Sequence, residues 1–197
     1  MMPKVVDRES RREEIIAAAW NLIATEGIAA VTTRRIAEAT GYSNGVLRYY
    51  FSGKDAVIDA AFQGIFDATN DRVRAANASP RGLTGLRELA LQIMPLDENR
   101  LMEARIAINF WQQALGSPTK AALHAEVMRQ WRFEIEERLR EAEFPAELAP
   151  GVIVPEVAIE LLSMLMGLQV LAVLAPDQTS PERQVAQYDA FIDRVRA

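Results

Sequence analysis

Residues 32–54 read TTRRIAEATGYSNGVLRYYFSGK, and the punctuation of this stretch decides the fold. Thr32 or Thr33 can cap a short helix carrying Ile36, Ala37 and Thr40. Ala39-Thr40-Gly41-Tyr42 then turns the chain sharply, with glycine where a positive φ would penalise a side chain. Ser43 can cap a third short helix running to about Tyr50, and Ser52-Gly53-Lys54-Asp55 opens a long fourth through Ile58, Phe62, Ile65 and Phe66. Upstream, Ser10-Arg11-Arg12-Glu13 has capping-box spacing, followed by Ile15, Ile16, Ala19, Trp20 and Ile23 at helical period, with Gly27 as the stop. Three short helices over 10–51 with tight turns make a helix-turn-helix unit, its two turn-linked helices at about 32–51. Such a unit can bring its polar third helix close to a phosphate or a base edge.

Beyond it, Ser79-Pro80, Ser117-Pro118 and Ser180-Pro181 each place a capping oxygen before a residue that lacks only an unneeded amide, so helices should begin near 80, 118 and 181. Met94-Pro95 ends a helix and Asp97 can cap the next. Pro145, Pro150, Gly151 and Pro155 mark a loop before an apolar helix at 156–175. No strand pair, repeat or low-complexity segment is evident. The reading is an all-α chain of about nine helices, with a DNA-binding-type head over 1–54 and a larger helical domain over 55–197.

The 197 residues are half hydrophobic and one quarter charged, which excludes wholesale disorder. The absence of cysteine excludes disulfides, thiol catalysis and cysteine-bound metals, and a single histidine, His124, removes multi-histidine metal sites. No Gly-rich phosphate loop follows a strand, and no Glu-x-x-His pair supports a di-iron bundle. No enzyme, cofactor or metal is therefore expected. The charged N-terminus lacks the apolar run of a signal peptide, and Val157–Ala175 is interrupted by Glu160, Ser163 and Gln169. Both point to a cytoplasmic chain with a buried helix rather than a membrane span. The net charge of −5 is unevenly spread: residues 1–54 carry eight Lys/Arg against six Asp/Glu, and the remainder fourteen against twenty-one. A basic head on an acidic body fits a site-specific DNA binder, and it also fits an ordinary solvated face.

At Ile15-Ile16, Ala19, Gly27, Thr32-Thr33, Ile36-Ala37, Gly41, Ser43, Gly45, Leu47, Tyr49-Tyr50-Phe51 and Lys54 the sequence resembles the TetR family of bacterial transcription regulators. Arg48, Tyr42 and Gly53 depart from the family pattern. Phe110-Trp111, the charged helix around Trp131 and the apolar run Leu162–Leu174 resemble the C-terminal domain of choline-sensing BetI-type repressors. The resemblance implies a third helix docked in the major groove. Residue chemistry agrees: Asn44 and Arg48 lie four apart on one face, and these types pair in bidentate fashion with adenine and guanine. Gly45 lets the backbone approach, while Ser43, Tyr49, Tyr50 and Lys54 can donate to phosphates. Ser43 can equally be only a cap and Tyr50 half core; Ile36, Leu47 and Phe51 read as core. By resemblance Thr33 and Arg34 also reach the DNA.

In the larger domain Phe62, Phe66, Met94, Met102, Phe110, Trp111, Met128 and Trp131 are core or pocket residues, with Asn109, Gln113 and Gln169 as polar anchors for a small-molecule effector of unknown identity. Phe110 is expected to line the pocket in a row with Met102, Ile106 and Gln113, leaving Trp111 to pack against a neighbouring helix. The apolar helix, through Leu165 and Leu168, and a narrow seam of Val185, Tyr188, Ile192 and Val195 are expected at a homodimer interface, as the family pairs its last two helices. These features together describe a dimeric, ligand-responsive regulator, most simply a repressor, bound to a pseudo-palindromic double-stranded operator. The rival is a helical small-molecule-binding or interaction protein whose head does not bind DNA.

Overall fold

The computed structural model describes residues 5–76, 81–144 and 146–197. Within them are nine α-helices and two short 3₁₀ turns, and no strand beyond one isolated antiparallel bridge between Leu148 and Arg196. The helices are α1 Val5–Glu26, α2 Thr33–Thr40, α3 Asn44–Tyr50, α4 Lys54–Ala76, α5 Gly82–Ile93, α6 Glu98–Ala114, α7 Pro118–Glu143, α8 Val154–Leu174 and α9 Pro181–Val195.

Cap chemistry accounts for most boundaries. Thr32, not Thr33, caps α2, its side chain accepting from the Arg35 amide at 3.1 Å. Ser43 accepts from the Val46 amide at 3.3 Å, Asp97 from that of Arg100 at 2.9 Å, and Ser117 and Ser180 do the same for α7 and α9. Gly41 leaves α2 at φ 72°, the left-handed conformation that lets α3 cross it.

Three boundaries differ from expectation. The first helix is not short and does not start at Ser10: it begins at Val5 and runs 22 residues, so Ser10 sits inside it. α8 begins at Val154, taking Pro155 into its first turn, where a missing amide hydrogen costs nothing. α5 begins at Gly82 after Arg81, which supplies no capping side chain. Its first amides are met from across the fold instead: Gly82 donates to Glu141 at 3.3 Å and Leu83 to Glu147 at 2.8 Å. Gly82 has a φ of 60°, where a side chain is strained, and a Cβ there would fall 2.5 Å from the Glu147 carboxylate and displace it from the Leu83 amide. Ser79-Pro80 and Pro145 lie outside the described residues.

α1, α2 and α3 form the head around Ile15, Ala19, Ile23, Val31, Ile36, Leu47 and Phe51, all buried. α1 also packs along α4 and α6. Trp20 Nε1 donates to the Ala61 carbonyl at 2.9 Å, and Arg105 reaches back from α6 to the Ala24 carbonyl at 3.2 Å. α4 starts where the two halves were expected to divide, and one continuous core runs from Ile15 to Val195. Below, α5 to α8 pack together, and the chain end closes on the α7–α8 loop through Ala149–Val195 and Ala197–Glu147 backbone bonds of 2.9 Å. A partly buried ion pair ties α4 to α6: Arg72 meets both Glu103 carboxylate oxygens at 2.7 and 2.8 Å and donates to the Gln92 carbonyl at 3.3 Å. Such a pair adds little over apolar packing, but removing Arg72 would leave the buried Glu103 carboxylate unpaired.

α8 has the length and hydropathy of a membrane span, and here one side of it packs into the bundle through Ala158, Leu161, Leu165 and Leu168. This corrects the expected interface set. Leu165, Leu168, Tyr188, Ile192 and Val195 are buried inside the chain itself, and Val185 is half-buried. Their seam is real, but it closes the chain's own core. The outward side of α8 instead shows Ile159, Leu171 and Leu174, with exposures of 50, 47 and 73%.

Candidate nucleic-acid interface and aromatic cluster

The residues of α3 expected to meet DNA are exposed. Asn44 and Gly45 open α3 and are exposed, Arg48 is exposed in its last turn, and Tyr49 is 65% exposed. Leu47 and Phe51 turn inward, and Tyr50 is half-buried edge-on to Tyr49 with ring centroids 5.1 Å apart. The inward pair anchors a seven-residue helix too short to be stable alone. Lys54 is exposed at the first position of α4, and Thr33 and Arg34 are exposed at the start of α2. Ser43 acts as a cap, and its hydroxyl hydrogen remains free to donate. Arg34 is paired with Glu38 at 2.9 Å and Arg35 with Glu26 at 2.5 Å, so neither presents an uncompensated charge. Arg48 and Lys54 have no carboxylate partner among the described residues. Tyr42, the turn residue, donates its hydroxyl to Glu14 and so fastens the turn to α1.

Two residues at this surface escaped the reading of the sequence. Because α1 starts early, Arg8 lies over the Tyr49 ring at 5.2 Å and Arg12 over the Phe51 ring at 5.4 Å. The signal available was their i, i+4 spacing ahead of the apolar period.

In the larger domain the expected aromatic residues converge between α4, α6 and α7. Phe62 stacks on Phe110 with centroids 3.8 Å apart and planes within 2°. His124 lies 6.3 Å from Phe62 and 5.8 Å from Trp111, and Phe66 lies 5.8 Å from Trp131. Met102 and Met128 are half-buried against the same core. Gln113 and Asn109 are half-buried; Asn109 donates to the Arg105 carbonyl at 2.8 Å. Met94 and Gln169 are buried. Phe110 and Trp111 do not divide as expected, since both reach this cluster on different neighbours. Phe110 is fully buried, whereas Trp111 is half-buried with an indole nitrogen that has no partner. Lys120 lies with its ammonium 5.3 Å above the Phe110 ring and paired to Asp59 of α4. Trp111 Nε1 and His124 Nδ1, and Trp131 Nε1 beside Phe66, are buried without a hydrogen-bond partner among the described residues.

Burial holds the His124 imidazole below its ordinary value of 6.5. As pH falls through that value the unfolded chain takes up a proton and the folded one does not, so folded-state stability declines with falling pH. His124 is the single histidine, so His124→Phe should flatten the decline of melting temperature between roughly pH 7 and 5.5. An unchanged slope would place the pH response on other groups.

Residues 15–61 match the model of bacterial regulatory proteins of the tetR family, and residues 83–197 that of the BetI-type transcriptional repressor C-terminal domain. The regulator PksA of Bacillus subtilis is 30% identical over 112 residues, which make up 55% of this chain and 54% of PksA. The regulator BetI of Burkholderia mallei is 26% identical over all of this chain and 98% of its own length. The chain thus spans only about half of PksA but nearly all of that BetI. Among solved structures, a putative transcriptional regulator from Saccharomonospora viridis in complex with choline superposes with a TM-score of 0.88 at 20% identity, over 96% of this chain and 99% of that one. A transcriptional regulator from Rhodococcus sp. Rha1 gives 0.81 at 24% identity, over 93% and 95%. The chain belongs to the TetR family of transcriptional regulators, with a C-terminal domain of the BetI type.

Proposed function

We propose that the protein is a dimeric repressor that binds a pseudo-palindromic operator in the cytoplasm and leaves it when a small molecule enters the helical domain. The observation that carries the DNA-binding part is the exposed face of α3, where Asn44, Arg48 and Tyr49 stand open and, among the described residues, no carboxylate pairs with Arg48 or with the nearby Lys54. Selection from a random duplex pool identifies the operator. On that operator, Arg48→Ala should cost about 1–3 kcal/mol and relax preference at one base pair. Lys54→Ala should weaken all duplexes alike and shallow the salt slope by about one. Equal loss on every sequence for Arg48→Ala would make Arg48 a phosphate contact. No salt-dependent duplex binding by the native protein would leave the rival, a helical binding protein without DNA.

The effector site is the cluster of Phe62, Phe66, Phe110, Trp111, Met128 and Trp131, closed by Met102 and Gln113. Its indole N–H groups, without a partner among the described residues, are donors and favour a ligand with a flat apolar body and a carboxylate or carbonyl acceptor, while the Lys120 charge is already met by Asp59. The Saccharomonospora viridis regulator holds choline; here Lys120 already covers the Phe110 face that a quaternary amine would seek. Aromatic carboxylates should raise the melting temperature in a thermal-shift panel, and choline should not. The opposite ranking would return the site to organic cations.

A further inference from the structure

We propose that Arg8 and Arg12 of α1 are operator-backbone contacts, so that the DNA-binding surface extends beyond the helix-turn-helix onto the first turns of the preceding helix. The inference rests on the DNA-binding reading above and goes past the residues that reading assigns.

Arg8 lies 5.2 Å above the ring of Tyr49, which is itself 65% exposed on the reading helix. Arg12 lies one helical turn further along α1, 5.4 Å above the ring of Phe51 at the C-cap of α3. Both side chains are exposed, and neither has a carboxylate partner among the described residues. This contrasts with Arg34 and Arg35 of α2, which are spent on Glu38 and Glu26. Glu14 accepts from the Tyr42 hydroxyl.

A guanidinium stacked on a ring loses only its face. Its five N–H donors lie in the plane of the group and remain available for a phosphate in bidentate geometry. The ring also holds the flexible side chain in place before binding, which lowers the entropy lost on contact. A helix seated in a major groove about 12 Å wide has phosphate strands along both its flanks. Arg8, lying against the exposed ring of that helix, is directed to one such flank, and Arg12 follows at i+4 on the same α1 face.

Phosphate contacts carry no sequence information, so a mixed-sequence duplex is a sufficient probe. Binding of the intact protein to such a duplex should be titrated across a range of salt concentrations. Arg8→Ala should reduce the slope of log K against log salt by about 0.9, and Arg8→Ala with Arg12→Ala by about twice that. Arg8→Lys should restore the slope, because the charge returns without the flat stack. Melting temperatures should stay near the native value, since both side chains are exposed. A native slope for the folded double variant would overturn the proposal and leave both arginines as packing for the two rings. Absence of duplex binding by the native protein would sink the DNA-binding reading itself, whereas loss of slope in Lys54→Ala but not in the arginine variants would sink only this extension.

Discussion

Leu171→Asp should convert the protein to monomer and abolish high-affinity operator binding, while leaving the monomer folded. Leu171 is about half-exposed in the single chain, on the apolar side of α8 that also carries Ile159 and Leu174. From 159 to 174 this row is about 22 Å long at helical rise, enough to seed an interface of the size stable dimers require. In a two-fold dimer each substitution occurs twice at the contact. An unpaired carboxylate buried there costs about 2–3 kcal/mol per copy, or roughly a thousandfold to ten-thousandfold in the dimer dissociation constant. Sedimentation should show the monomer at micromolar concentration, and a single head should engage only one half-site. Ile192→Asp makes the necessary contrast. Ile192 is 3% exposed within its own chain, so its substitution should melt the fold instead of parting two folded copies. A Leu171→Asp protein that stayed dimeric would move the interface off this face.

That contrast shows where the sequence is legible. Helix ends are written in local chemistry, because a serine or aspartate oxygen satisfies an amide two or three residues on. Ser43, Asp97, Ser117 and Ser180 therefore read correctly without knowledge of the fold. Ser10 misled because its capping-box spacing is equally compatible with the middle of a helix, and α1 starts upstream of it at Val5. The start of α5 was legible to within about two residues, but its capping was not, because its first amides are met by Glu141 and Glu147, about sixty residues away. The inner and outer sides of α8 could not be told apart because apolar residues occupy nearly its whole circumference, and periodicity then carries no direction. The α9 seam was read correctly as a seam but given the wrong partner, since a regular apolar row does not say whether a neighbour belongs to the same chain.

The aromatic cluster was legible as composition and not as geometry, and its two adjacent aromatics give the sharpest test. Phe110 is fully buried and stacked on Phe62, so Phe110→Ala removes a close-packed ring and opens a void between α4 and α6. The expected cost is about 3–5 kcal/mol, which for a chain of this length lowers the melting temperature by roughly 6–20 °C. Trp111 stands about 100° round the same helix, half-buried, with an indole nitrogen that no group among the described residues accepts from. Trp111→Phe should therefore cost less stability than Phe110→Ala, because an aromatic ring remains at a half-buried position and no hydrogen bond is lost. It should nonetheless weaken an acceptor-bearing effector, whose bond to that N–H disappears, by about 0.5–1.5 kcal/mol, while operator affinity is preserved. The discriminating measurement is effector-induced release from the operator, made on both variants below their melting temperatures. Release of Trp111→Phe at native effector concentrations would remove the indole from the site. Equal destabilisation by Phe110→Ala and Trp111→Phe would mean that the unpaired nitrogen is held by the fold after all.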